Sequence, residues 1–144
     1  MVKVDGYELR ENLYYWSKTL TWAKVEPDGR IRVGLTDLAQ NLAKKIRFVR
    51  IKPKGSTVDQ GKMVATLETV KWVGPVESPV TGTVDDVNAA LRGKPTALND
   101  DPYGEGWVAI IKPTKPEELN NLVHGEAIFD WYKKEIETRV KKEK

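Results

Sequence analysis

The chain predicts a mainly β fold, a β-sandwich or flattened barrel, with a short internal helix and a helix near its C-terminal end. Three observations predict it. Short stretches with alternate residues apolar recur along the sequence, clusters of Gly, Pro, Asn and Asp separate them at short intervals, and only two segments place apolar residues at helical spacing.

Residues 1–16 read as an N-terminal extension. Trp22-Ala23-Lys24-Val25 and Ile31-Arg32-Val33-Gly34-Leu35 are then joined by a Pro27-Asp28-Gly29 turn, which predicts an early hairpin. Thr36 follows as an N-cap and Asp37 as a first-turn acid. Leu38, Ala39, Leu42, Ala43 and Ile46 at helical spacing, with Lys44 and Lys45 at the end, predict a short amphipathic helix. Phe48 to Lys52 returns to strand, and Pro53-Lys54-Gly55-Ser56 turns it.

A turn around Gly61 leads into a half-buried strand from Met63 to Val70, with Met63, Ala65 and Leu67 expected on one face. Trp72 to Pro75 breaks the alternation and Val76 to Val84 resumes it. Val84 to Val87, a turn cluster over Asn99 to Gly106 and a final strand at Trp107 to Ile111 complete the β region, which Pro113 and Pro116 close. The segment 117–144 is read as a C-terminal helix and basic tail, with Leu119, Leu122, Ile128, Phe129, Tyr132, Ile136 and Val140 on one stripe that must dock, on the chain itself or on a partner. Gly55-Ser56-Thr57-Val58 and Gly82-Thr83-Val84 repeat weakly, as two halves about a pseudo-twofold axis would.

At 144 residues, 40% hydrophobic and 31% charged, with a mean hydropathy of −0.52, the chain suits one soluble domain over residues 1–144. Lys133 to Lys144 hold six Lys or Arg against three Glu, an excess equal to the whole chain's net charge of +3. The remaining body is neutral, which lacks the electrostatic footprint of a nucleic-acid binder. With no cysteine, disulfide frameworks, thiolate metal sites and cysteine nucleophiles are excluded, in keeping with a reducing compartment. The N-terminal residues lack the apolar core of a signal peptide, and the longest apolar run, Trp107 to Ile111, is too short to cross a bilayer. A cytoplasmic protein without membrane association is expected.

Catalytic constellations are missing. One histidine, His124, offers neither a metal cluster nor a triad and reads as a residue at a helix start. Asp85-Asp86 and Asp100-Asp101 suit turns and edges better than acid/base pairing. Gly104-Glu105-Gly106 leads into a strand, so it is a turn and not a phosphate cradle. Arg47 to Lys52 mixes basic and aromatic residues as an ordinary strand does, without a stacking platform. Tyr14, Tyr15, Trp16 and Trp22 fit closure of a core, with a partner patch as the other reading.

Lys71 is the remaining candidate. It sits between the two strand patterns, so it projects from a tip, where a hydrated amine on a four-carbon stem is presented for modification. An ordinary solvated turn lysine has the same spacing.

Motifs around it bear on that choice. Val33-Gly34-Leu35-Thr36-Asp37-Leu38-Ala39-Gln40, Leu67-Glu68-Thr69-Val70-Lys71, Ser78-Pro79-Val80-Thr81-Gly82, Val87-Asn88-Ala89-Ala90-Leu91 and Asn99 to Trp107 occur in an order and spacing that resemble the H protein of the glycine cleavage system, over about residues 14–132. The resemblance implies a lipoyl-domain-like barrel-sandwich hybrid of two antiparallel sheets, with lipoate amide-linked to Lys71 by a lipoate ligase or octanoyltransferase. It implies a carrier and not an enzyme, passing an aminomethyl group between glycine decarboxylase, aminomethyltransferase and dihydrolipoamide dehydrogenase. Glu68 would help the modifying enzyme recognise the turn, and Val70 and Trp72 would fix the lysine's geometry.

Three departures from the family pattern mark alternatives. Trp72 replaces the usual small residue after the lysine, Trp72-Val73-Gly74-Pro75-Val76-Glu77 replaces a more polar link, and Leu20 stands where an early histidine is common. Lys71-Trp72-Val73-Gly74-Pro75-Val76 is similar to lipoate-binding proteins that serve a heterodisulfide-reductase-like complex in sulfur oxidation, where the indole would shelter a loaded arm. A different class, an unmodified interaction module, would use the aromatic N-terminal region and the C-terminal helix to bind a protein.

Overall fold

A computed structural model describes residues 2–143 of the chain, with side chains as far as Val140. Strands β1 (Val2–Val4) and β2 (Tyr7–Leu9) form an antiparallel hairpin around Asp5-Gly6, whose φ angles of 49° and 90° are those a two-residue hairpin turn demands. The segment read as an N-terminal extension thus contains a hairpin of its own. Its signal was present as Asp-Gly flanked by alternating apolar residues.

Strands β3 (Tyr14–Trp16), β4 (Thr21–Val25) and β5 (Ile31–Leu35) follow as an antiparallel ladder that includes the predicted hairpin. Helix α1 spans Asp37–Ala43, capped by Thr36, whose side chain accepts from the Ala39 N–H. It is a turn shorter than the spacing predicts. Lys44 adopts φ 63° at its end, and Ile46 already begins strand β6 (Ile46–Ile51), buried as a strand residue.

Strands β7 (Thr57–Val58), β8 (Met63–Thr69), β9 (Val73–Glu77) and β10 (Gly82–Val87) come next, then a 3-10 turn at Ala89–Arg92 and the short helix α2 (Ala97–Asp100). Strand β11 (Ala109–Pro113), a second 3-10 turn at Pro116–Asn121 and helix α3 (Ala127–Glu143) complete the chain. His124 precedes α3 and rests on Tyr14, with ring centroids 4.9 Å apart.

The strands form two main sheets, one of six strands in the order β3-β4-β5-β11-β10-β7 and one of three in the order β6-β8-β9, beside the small β1-β2 hairpin. This is the expected barrel-sandwich arrangement. The repeated Gly-Ser-Thr-Val and Gly-Thr-Val segments pair with each other: Gly82 faces Val58 and Thr83 faces Thr57 in antiparallel register.

Two details of the strands depart from the alternation. A bulge between Met63 and Ala65 turns Met63 outward, 44% exposed, while Val64, Ala65 and Leu67 are all buried. Val73 to Pro75, read as a break, belongs to β9. Proline is tolerated there because β9 is an edge strand.

Between the two sheets lies the first core, with Val33, Ile46, Leu67, Val76, Leu98 and Ile111 among its buried residues. A second cluster joins Leu9, Tyr15, Trp22 and Leu38 to Ile128, Tyr132 and Ile136 of α3. The C-terminal helix thus docks on the chain itself, with Phe129 outside the buried stripe at 37% exposure. Polar links secure it. The Tyr132 hydroxyl accepts from the Leu38 N–H at 3.1 Å and donates to the Glu8 carbonyl at 2.9 Å, while the Trp131 indole donates to Ser17 Oγ at 2.9 Å.

Candidate functional site

Lys71 lies at the tip of the β8–β9 hairpin, in a four-residue turn from Thr69 to Trp72. The Thr69 N–H donates to the Trp72 carbonyl at 2.9 Å, which closes the turn. The Thr69 hydroxyl accepts from the Lys71 N–H at 3.2 Å and the Trp72 N–H at 3.3 Å, and lies 3.3 Å from the Trp72 carbonyl as a donor. A short hydroxyl side chain bonding backbone groups two and three residues on is the pattern that stabilises such turns. Thr69 itself is buried, so the tip is anchored in the sheet.

The lysine is exposed, and no carboxylate pairs with its amine among the described residues. Val70, expected to fix the lysine, is 72% exposed and packs little. The lysine's backbone is held by Thr69, which the reading of the motif did not single out. The signal was a hydroxyl residue two positions before the tip lysine.

Trp72 lies on one side of the hairpin. Its ring crosses Gly74, where a Cβ would overlap the indole, so this glycine makes room for the tryptophan. The ring also lines an open groove of about 190 Å³ with Leu20, Leu35, Leu42 and Leu67, where Lys18 and Arg139 supply cationic walls. Leu20, noted as a departure from the family pattern, thus belongs to the surroundings of the tip.

Glu68 points to the opposite side. In the register β6-β8-β9 it pairs laterally with Phe48 and Val73, so these three side chains share the outer face of the small sheet. The two sequence-predicted residues Glu68 and Trp72 therefore flank Lys71 on different faces.

The other candidates take structural roles. Asp85 meets Arg30 at 2.9 Å, Asp100 meets Lys94 at 3.9 Å, and the Asp101 carboxylate accepts from the Glu105 N–H at 2.9 Å within the glycine-rich turn. Burial pushes the phenols of Tyr15, Tyr103 and Tyr132 well above the usual tyrosine range, which marks them as structural groups. No group of three or more potential metal ligands occurs among the described residues, and no described helix is long and apolar enough to cross a membrane.

Residues 13–135 match the family model described as glycine cleavage H-protein. A protein of Saccharolobus solfataricus named probable glycine cleavage system H protein 2 is 49% identical over 138 residues, covering 94% of this chain and 93% of that one. Glycine cleavage system H protein 2 of Aquifex aeolicus is 45% identical over 139 residues, covering 94% and 86%. Among solved structures, a glycine cleavage system H protein from Mycobacterium marinum superposes with a TM-score of 0.68 at 30% identity, over 74% of this chain and 87% of that chain.

Proposed function

This chain belongs to the glycine cleavage H-protein family, and from that premise we propose that Lys71 is the attachment point of a lipoyl arm and that the protein is a carrier without turnover of its own. One observation carries the reading: Lys71, at the end of the stretch that resembles the family's lipoylation motif, is exposed and has no carboxylate partner among the described residues, in a turn that Thr69 braces. A modifying enzyme needs the amine to be accessible and fixed relative to its flanking strands, and a hairpin tip meets both needs.

The residues present fit the group. Amide formation removes the lysine's charge, so the absence of a carboxylate partner costs the modified state nothing. The groove beside Trp72 offers apolar walls to a hydrocarbon arm, with the indole as one side. When bound, lipoate supplies a disulfide that opens on loading and closes on oxidation. What this chain contributes is a stiff mount, an apolar flank and surfaces that partners recognise. Those partners are glycine decarboxylase, aminomethyltransferase and dihydrolipoamide dehydrogenase, between which the arm passes an aminomethyl group.

The alternative of an unmodified interaction module keeps only part of its surface. Tyr15, Trp22, Ile128 and Tyr132 are buried against one another, while Tyr14 and Trp16 are half-buried and Phe129 is exposed. The sulfur-oxidation alternative rests on the Lys71-Trp72-Val73-Gly74-Pro75-Val76 stretch, and the groove that Trp72 lines would shelter either load.

The test is intact-mass analysis of the chain after incubation with a lipoate ligase, ATP and lipoate, followed by peptide mapping of residues 63–80. A single lipoyl adduct on Lys71, lost in a folded Lys71→Arg variant, supports the reading. Bare polypeptide from the wild type sinks it. Loading by glycine decarboxylase then separates glycine cleavage from sulfur chemistry.

A further inference from the structure

Seven large hydrophobic side chains stay exposed among the described residues, and five of them, Phe48, Met63, Val70, Trp72 and Val73, belong to the three-stranded sheet or its tip. Phe48 and Val73 are 59% and 63% exposed and flank Glu68 in one cross-strand row, with Arg50 in the next. Isolated exposed apolar residues need no explanation, but Phe48 and Val73 side by side on the outer face, opposite the side that Trp72 takes, mark a surface that something covers.

Charge identifies what covers it. The chain has seven arginines, and Arg10, Arg30, Arg32 and Arg139 each pair with a carboxylate. The other three, Arg47, Arg50 and Arg92, have no ion-pair partner among the described residues, and all three line one depression of about 430 Å³ together with Phe48 and Glu68. Unpaired guanidinium groups beside an apolar seat suit an acidic protein surface, because carboxylates are met by arginine in bidentate geometry.

We infer that the outer face of this sheet, Phe48, Glu68 and Val73 with Arg47, Arg50 and Arg92 beside them, is the seat of an acidic surface on the enzyme that acylates Lys71. The inference rests on the reading of Lys71 as the attachment point. Reach selects this occupant over the enzymes that meet the finished arm. Bare Lys71 extends only its own four methylenes, so an acylating enzyme must lie against the strands that flank the tip, whereas a lipoylated lysine reaches partners seated elsewhere. In the reaction itself, Lys71 Nζ attacks the acyl carbon of lipoyl adenylate, the amide C–N bond forms, the bond from that carbon to the phosphate oxygen breaks, AMP leaves and the amine sheds a proton.

The test is steady-state acylation of the full chain at low salt by a lipoate ligase with ATP and lipoate. Three variants are compared with wild type: the double reversal Arg47→Glu/Arg50→Glu, Phe48→Thr and Arg92→Gln. Melting temperatures identify folded variants, and Arg92→Gln, off the sheet, serves if a strand variant unfolds. The expected result is a KM raised about tenfold by the double reversal and severalfold by the others, with kcat within about twofold. Added salt raises the wild-type KM and narrows the gap. Reaction with free lipoyl adenylate, without enzyme, stays at the wild-type rate because Lys71 is untouched. Equal KM across folded variants overturns the inference and leaves acylation of Lys71 standing. So does a defect confined to transfer by the already lipoylated chain, which would give the surface to a loading enzyme. A wild-type chain that no ligase acylates removes the reading of Lys71, and the inference with it.

Discussion

Thr69 and Trp72 close on each other across the hairpin tip, with the Thr69 N–H on the Trp72 carbonyl at 2.9 Å and the Trp72 N–H on the Thr69 hydroxyl at 3.3 Å. Lys71 is held between them by its own N–H, which donates to the same hydroxyl at 3.2 Å. The lysine's position is therefore set through its backbone, leaving the side chain free.

Replacing Thr69 by valine keeps the shape and removes that hydroxyl. The two freed N–H groups sit at a partly exposed tip where water substitutes, so the stability loss is small, about 1 kcal/mol by chemical denaturation. The larger effect falls on Lys71, whose acylation rate by a ligase drops while its exposure stays the same. Thr69→Ser, which restores the acceptor, recovers most of the rate. An unchanged rate in the valine variant would show that the hydroxyl has no part in presenting the lysine.

Gly74 and Trp72 form a second pair with a checkable coupling. A Cβ at position 74 would overlap the indole, so Gly74→Ala displaces the ring from the groove and costs about 1–3 kcal/mol. In a Trp72→Ala background the same substitution should cost much less. A double-mutant cycle reads the difference, and additive losses would rule out the ring as the obstacle. Steady-state fluorescence gives an independent readout, since a displaced Trp72 gains solvent exposure.

These two pairs show where the sequence was and was not legible. Alternation and turn chemistry located the hairpin of β4 and β5, and the strand patterns on either side of Lys71 placed it at a tip. Local rules failed where a single residue changes register. One extra residue in the bulge between Met63 and Ala65 reverses Met63 to the outside, and alternation has no term for it. Lys44 ends α1 in a left-handed conformation although Ile46 continues the helical pattern, because Ile46 is needed in β6, where it is fully buried. Pro75 imitates a break yet lies in an edge strand, and edge status depends on the tertiary order of strands. The outer face of the small sheet was invisible for the same reason, since Phe48, Glu68 and Val73 become neighbours only through pairing.

The buried phenols predict the alkaline limit of the fold. Burial raises the folded pKa of Tyr15, Tyr103 and Tyr132 above that of an unfolded tyrosine, about 10. Their contribution is complete below pH ~10, where both states are neutral, and is lost as pH rises through the folded values, because the unfolded chain sheds protons first. Denaturant midpoints should therefore fall steadily above pH ~10, with phenolate absorbance of these three residues appearing together with loss of structure. Tyr132→Phe tests the assignment. It removes the hydroxyl between the Leu38 N–H and the Glu8 carbonyl, lowering stability at neutral pH while reducing the slope above pH ~10.

Gly82 tests the junction of the two repeated segments. It faces Val58 on one side and Pro113 on the other, and a Cβ there would overlap the Lys112 carbonyl and press on Ile111. A backbone carbonyl in a ladder cannot swing aside as a side chain does, so Gly82→Ala must separate β10 from β11, at a cost of about 3 kcal/mol. Gly55 provides the comparison. Its φ of 91° disfavours alanine, but the space around it is open, so Gly55→Ala should cost only about 1 kcal/mol through the backbone. Urea denaturation of the two variants separates crowding from conformational strain: a Gly82→Ala loss no larger than that of Gly55→Ala would mean that the β10–β11 ladder yields readily, and the close approach at Lys112 would not be what demands glycine.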